Sequence, residues 1–177
     1  MSYIDIIVER IHRNRKILVE QADSPLISLT IRLETLSHKD TIRFAFKAIL
    51  PILDELIDQT NRIDLQEPFD NSKAWAAGLL KMQDVKPLIL RLHNDAKETN
   101  NLALEALYHA YGQGLSVIHT KKHAMGLPIY ELTAKIRQAQ PENYENVVNK
   151  TIQHYHEILN QIEREPDLNT WALFIQK

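Results

Sequence analysis

At 177 residues the chain fits the ~100–200 residues of one domain, and residues 1–177 are read as a single domain. With 44% hydrophobic and 25% charged residues and no cysteine, a disordered chain, a disulfide framework, a thiolate nucleophile and a Cys-ligated zinc are excluded. Twenty-one basic and 23 acidic side chains leave a net charge of −2, too small to imply nucleic acid or an acidic membrane as a global partner, and four glycines argue against a turn-rich all-β fold.

Helical periodicity runs nearly throughout. Ile4, Ile7, Val8, Ile11 and Leu18 recur at helical spacing with Glu9, Arg10, Arg13 and Lys16 between them, which predicts a helix reaching Leu18. The charges scattered over Met1 to Glu20 leave no signal-peptide core, so a cytoplasmic location is expected. Ser24-Pro25 then predicts an N-cap and a first-turn proline for a helix through Ile27 and Ile31 to about Leu36. A third helix is expected from near Asp40 through Ile57, kinked at Pro51. Its apolar stretch, Phe44 to Leu53, is about half of the ~20 residues a bilayer requires.

Asn61 to Asp70 loses the period and reads as a connection. Ser72 is placed as the cap of a helix carrying Trp75, Leu79, Leu80 and Met82, and Asp84 and Pro87 as the opening of the next, through Leu88, Leu92 and Ala96. The longest run, Asn101 to about Ala124, is rich in Ala and Leu, with Gly126 as a helix stop and Pro128 as a new first turn. Leu127 to Ala139 and Pro141 to about Glu163 supply two more helices, and the tail with Trp171, Leu173 and Phe174 is expected to fold back. The class is all-α: one compact array of about eight helices, without a solenoid period.

The densest cluster of reactive groups is His119-Thr120-Lys121-Lys122-His123. On a continuous helix the i, i+4 spacing would put both imidazoles on one face, the separation of metal-binding His pairs. A third ligand must come from elsewhere, and nothing in the sequence selects His93, His109, His154 or His156. The preferred reading is structural, with no metal and no cofactor. Gly112 and Gly114 lack the third glycine and the strand of a dinucleotide loop, and are read as points where a neighbouring helix approaches closely. Glu98 and Glu105 are assigned to a solvated face. Asp54, Glu55, Asp58, Asp64, Glu67 and Asp70, with Arg62 as the one base among them, and the later Glu157, Glu163, Glu165 and Asp167 would attract a basic partner if they met in space.

One stretch resembles a known family. Ala103-Leu-Glu-Ala-Leu-Tyr-His-Ala-Tyr, then Val117-Ile-His-Thr-Lys-Lys-His-Ala-Met-Gly, then Ile129-Tyr130 and Ala134 is similar to the closing motif of a family of bacterial helical immunity proteins of polymorphic toxin systems. Ser72-Lys-Ala-Trp-Ala-Ala-Gly resembles that family's tryptophan segment, and the likeness covers roughly Ile31 to Arg137. Carried over residue by residue, it singles out Trp75, His119, His123, Ala124, Gly126 and Tyr130. It implies a helical fold and a non-enzymatic protein that occludes a bacterial toxin, with no nucleic-acid or membrane partner. The alternatives are a metal-binding helical bundle using His119 and His123, or a helical scaffold. An exposed Ala/Gly helix face would favour a homodimer.

Overall fold

The computed structural model describes residues 2–176. Among them are nine α-helices and four short 3-10 turns, with no strand. The first helix, α1 (Tyr3–His12), begins in a reciprocal cap: the Ser2 hydroxyl accepts from the Asp5 N–H at 3.1 Å and the Asp5 carboxylate accepts from the Ser2 N–H at 2.7 Å. It stops well short of Leu18. The Arg13-Asn14-Arg15-Lys16 run has nothing to bury, and Asn14 takes a left-handed conformation (φ 51°) that turns the chain. Leu18 and Val19 then run extended into the core, where the Leu18 N–H donates to the Thr133 hydroxyl at 3.1 Å.

Ser24–Leu26, with Pro25, forms a 3-10 turn leading into α2 (Ile27–Thr35). The buried stripe is Leu26, Leu29 and Leu33, whereas Ile27 and Ile31, expected inward, face out. The long helix expected around Pro51 is two, α3 (His38–Ala48) and α4 (Leu50–Thr60), which accounts for nine helices rather than eight. Ser37, not Asp40, caps α3, and Pro51 occupies the first turn of α4, where a missing N–H breaks no bond. Asn61 (φ 55°) ends α4.

The expected connection is in part helical, since α5 (Gln66–Ala76) starts within it. Ser72 is therefore interior rather than a cap, and its hydroxyl donates to the Pro68 carbonyl at 2.7 Å. Gly78, at φ 80°, ends this helix, so Leu79 and Leu80 leave the line of Trp75. In α6 (Met82–Glu98) Asp84 accepts from the Lys81 N–H at 3.1 Å, while Pro87 lies a turn further in than a helix opening.

Helix α7 (Leu102–Ser116), capped by Asn101, ends eight residues before Ala124. Its last hydroxyl, on Ser116, donates back to the Gly112 carbonyl at 2.7 Å, and two β-branched residues, Val117 and Ile118, follow. The chain turns, and Thr120 caps a 3-10 segment, Lys121–Met125. Gly126 is right-handed and is the first residue of α8 (Gly126–Gln138), a start rather than a stop. After Pro141–Asn143, α9 (Tyr144–Arg164) runs as expected.

The array is built around α7, which lies against α8 and α6 along its length and against α3, α4 and α5 elsewhere. Because α7 is central, its Ala/Gly face is covered by the chain's own helices and is not available to a second copy. A Cβ on Gly114 would collide with Ile49 and Leu127, and one on Gly112 would lie 2.9 Å from the His93 ring. Both glycines thus serve close helix approach. The tail does fold back: the Ala172 N–H donates to the Ala76 carbonyl at 2.8 Å and Phe174 lies over Trp75 with centroids 5.0 Å apart. Leu168 and Leu173, however, remain exposed.

Candidate functional site

Three of the motif positions, His123, Gly126 and Tyr130, are gathered by a polar stripe on α7 that sequence reasoning did not select. Glu105, His109 and Gln113 repeat every four residues and so share one face of α7. Gln113 Oε1 accepts from His123 Nδ1–H across 2.8 Å, and Gly126 lets the Gln113 amide lie against the backbone of α8, where a Cβ would come within 2.6 Å of Oε1. One turn earlier, His109 lies beside Tyr130 with ring centroids 4.9 Å apart at 33°. From α6, His93 reaches over Gly112 to place its Nδ1 3.3 Å from His109 Nδ1. Two neutral imidazoles so arranged share one hydrogen bond, one ring donating and the other accepting.

Burial is the first cause holding His93 and His109 below the ordinary imidazole range. His123 adds to it at His93, and His93 adds to it at His109, where Glu105 pulls the other way. Burial also lowers His123, and burial followed by the Lys86 charge lowers His119. These rings are therefore mostly neutral at pH 7. Tyr130 is pushed above its ordinary value by burial and then by the Glu105 charge.

Glu105 is not on a solvated face. Its side chain is 13% exposed and meets Lys16 Nζ at 2.9 Å, with His109 Nε2 at 4.0 Å. Around it opens a cleft of about 130 Å³ lined by Lys16, Ile17, Leu102, Ala106, His109 and Tyr130.

The other motif positions lie apart. His119 sits exposed in the turn after α7, off the seam, so the expected common helical face with His123 does not exist. Ala124 is core, and Trp75 is buried under Phe174 at the end of α5. Among the described residues, no three His, Asp or Glu side chains converge as a metal ion would need. The buried hydroxyls of Ser72 and Ser116 donate to backbone carbonyls, and the buried Glu131 accepts from Tyr155 while pairing with Lys135 at 2.7 Å. These groups hold the core together.

The carboxylates divide into two sets. Arg62 pairs with Asp64 at 2.7 Å, Arg91 lies 3.4 Å from Asp64 and 3.8 Å from Glu67, and Glu163, Glu165 and Asp167 face Arg32, Lys47 and Lys39 with Arg43. Asp54, Glu55, Asp58 and Asp70 have no ion-pair partner among the described residues; Glu55 accepts from Gln59 and Gln138, and Asp70 from Gln66. No helix among them is long and apolar enough to cross a membrane.

A family model described as "Imm-5 like putative immunity protein" matches residues 32–158, from within α2 to within α9, well over half of the chain. No curated protein and no solved structure matches it.

Proposed function

The chain belongs to the Imm-5 like putative immunity protein family, and from that premise we propose that it neutralises a bacterial toxin by binding it, without catalysing a reaction and without a cofactor. The family match is the observation that carries this reading. A preformed helical surface would cover the toxin's working face, in the cytoplasm of a bacterium, with an interface on the order of 1,600 Å². Charge supports a basic partner: Asp54, Glu55, Asp58 and Asp70 have no ion-pair partner among the described residues, and would raise the association rate with a positively charged protein. Asp64 and Glu67 share arginines and would contribute less. Phe174, half exposed beside Leu173, offers an aromatic anchor. In this reading His123, Gly126 and Tyr130 shape the α7–α8 seam, while Ala124 fills the core and Trp75 seats the tail through Phe174.

Co-expression with the product of the adjacent gene tests the proposal. A complex that co-purifies, together with restored growth when that product alone is toxic, is the expected result. Neither complex nor protection would sink it. Replacing Asp54, Asp58 and Asp70 by Asn should slow association several-fold at low salt and leave dissociation nearly unchanged.

A further inference from the structure

We propose that the cleft between α7, α8 and residues 13–19 is a receptor for a cationic side chain of the partner, with arginine the best fit. Glu105 is the counter-ion, His109 and Tyr130 are the walls, and Lys16 is a resident occupant that the incoming cation displaces. The proposal rests on the immunity reading for the owner of that cation; the chemistry of the cleft stands separately.

Glu105 lies in the cleft with its side chain 13% exposed, and the one permanent cation at its carboxylate among the described residues is Lys16, at 2.9 Å. His109 Nε2, 4.0 Å away, does not neutralise it, because burial and the adjacent His93 keep that ring uncharged at pH 7. The direct ion-pair partner of this half-buried carboxylate is therefore an ammonium whose own side chain is 79% exposed, with the Arg137 charge felt from further off. An ion pair so exposed holds its partner only up to about fivefold over the open state.

The backbone under Lys16 does not depend on that contact. Arg137 donates to the carbonyls of Arg15 and Lys16 at 2.8 and 3.3 Å, and the Leu18 N–H is held by Thr133. The lysine side chain can swing out while the segment stays in place.

The remaining surfaces select what replaces it. His109 and Tyr130 line the cleft as one aromatic margin, their rings 4.9 Å apart at 33° with His93 beyond His109, and a planar guanidinium is drawn to such a margin. Ile17, Ala106 and the half-exposed Leu102 line the rest and suit a methylene stem. At about 130 Å³, and ~10–15 Å³ per water, the space admits the end of one long side chain. The Glu105 charge repels an anion, and a lone carboxylate beside a neutral imidazole does not make a cation-metal cage.

The test uses the full chain and a defined probe, Nα-acetyl-arginine N-methylamide, titrated while ¹H–¹⁵N resonances of residues 102–109 and 126–130 are followed. Saturable shifts are expected in the wild type, with affinity rising up to about fivefold in Lys16→Ala as the competing ammonium is removed. Lys16→Gln, which keeps the stem, should do the same if alanine loosens the segment. In Lys16→Ala/Glu105→Gln the saturable shifts should vanish, and Nα-acetyl-leucine N-methylamide should give none in any variant. Equal shifts from the leucine probe, undiminished binding without the Glu105 charge, or no saturation in either Lys16 variant would overturn the proposal. A toxin complex that forms while the arginine probe fails removes the cleft but not the immunity reading. Probe binding with no toxin complex removes the immunity reading and leaves the cleft.

Discussion

Gly114 shows how much one missing methyl group decides in this protein. In an unencumbered helix, glycine to alanine gains about 1 kcal/mol. Here the added Cβ would enter space held by Ile49 and Leu127, both fully buried and unable to swing away. Overpacking of that kind costs about 1–3 kcal/mol. Gly114→Ala should therefore lose about 1 kcal/mol net, read as a lower urea midpoint at an unchanged slope. Gly112→Ala meets the end of a side chain, the His93 ring, which can rotate; its expected effect is smaller. A Gly114→Ala variant as stable as the wild type would mean that Ile49, at the joint of α3 and α4, and Leu127 of α8 do not press on α7 as described. Both glycines were legible from sequence as close-approach positions. The pairing of His119 with His123 was not, because their i, i+4 relation assumed a helix that has already ended at Ser116. The stripe of Glu105, His109 and Gln113 carried the signal instead: polar residues four apart on a helix otherwise made of Ala, Leu, Tyr and Gly up to its closing Ser116.

Between elements, the α6–α7 seam couples stability to pH. His93 and His109 sit below the ordinary imidazole value of about 6.5, chiefly through burial, and face His123, Lys97, Lys16 and, with opposite effect, Glu105. Above pH 6.5 the pair is neutral in both folded and unfolded chains, and its contribution is fully present. As pH falls below 6.5, the unfolded chain takes up protons that the folded seam refuses, so stability drops as the pH falls through this value and below it. The lowered carboxylates, Asp5, Asp64 and Asp167, act only at pH values nearer 4. Urea unfolding from pH 7.5 to 5 should show midpoints that decline with acid, and the double variant His93→Gln/His109→Gln should flatten that decline. The same slope in both proteins would assign it to His119, His123 and His156 instead. Sequence periodicity located each of these helices but misplaced their ends, since local contacts set the boundaries. Asn14 turns left-handed, Pro51 fits a new first turn as well as a kink, and α5 draws its first turn from a stretch with no apolar period. Ile27 and Ile31 ended outside because Leu26, Leu29 and Leu33 make the better stripe.

At the scale of the whole molecule, the described residues outside the family match, 2–31 and 159–176, pack onto the matched helices. The N-terminal segment is fixed to α8 through Leu18 and Thr133 and brings Lys16 to Glu105, while the tail returns to α5 through Ala172 and Ala76. Sequence indicated that the aromatic tail would return, because large apolar groups leave water. It did not indicate where, since the partner surface around Trp75 is built on a helix whose start and end sequence had misplaced. Phe174 is 54% exposed, with its other face on Trp75, 5.0 Å between centroids. A half-buried phenylalanine contributes on the order of 1 kcal/mol, too little to hold the fold and enough to order the tail against α5. In a Trp171→Phe background, where Trp75 is the sole reporter, Phe174→Ala should shift the emission to longer wavelength and lower the unfolding free energy by about 1 kcal/mol. Unchanged emission would mean that the tail does not cover Trp75 in solution. An ordered tail would also fix Leu173 and Phe174 in one place on the surface, as a rigid anchor for a partner requires.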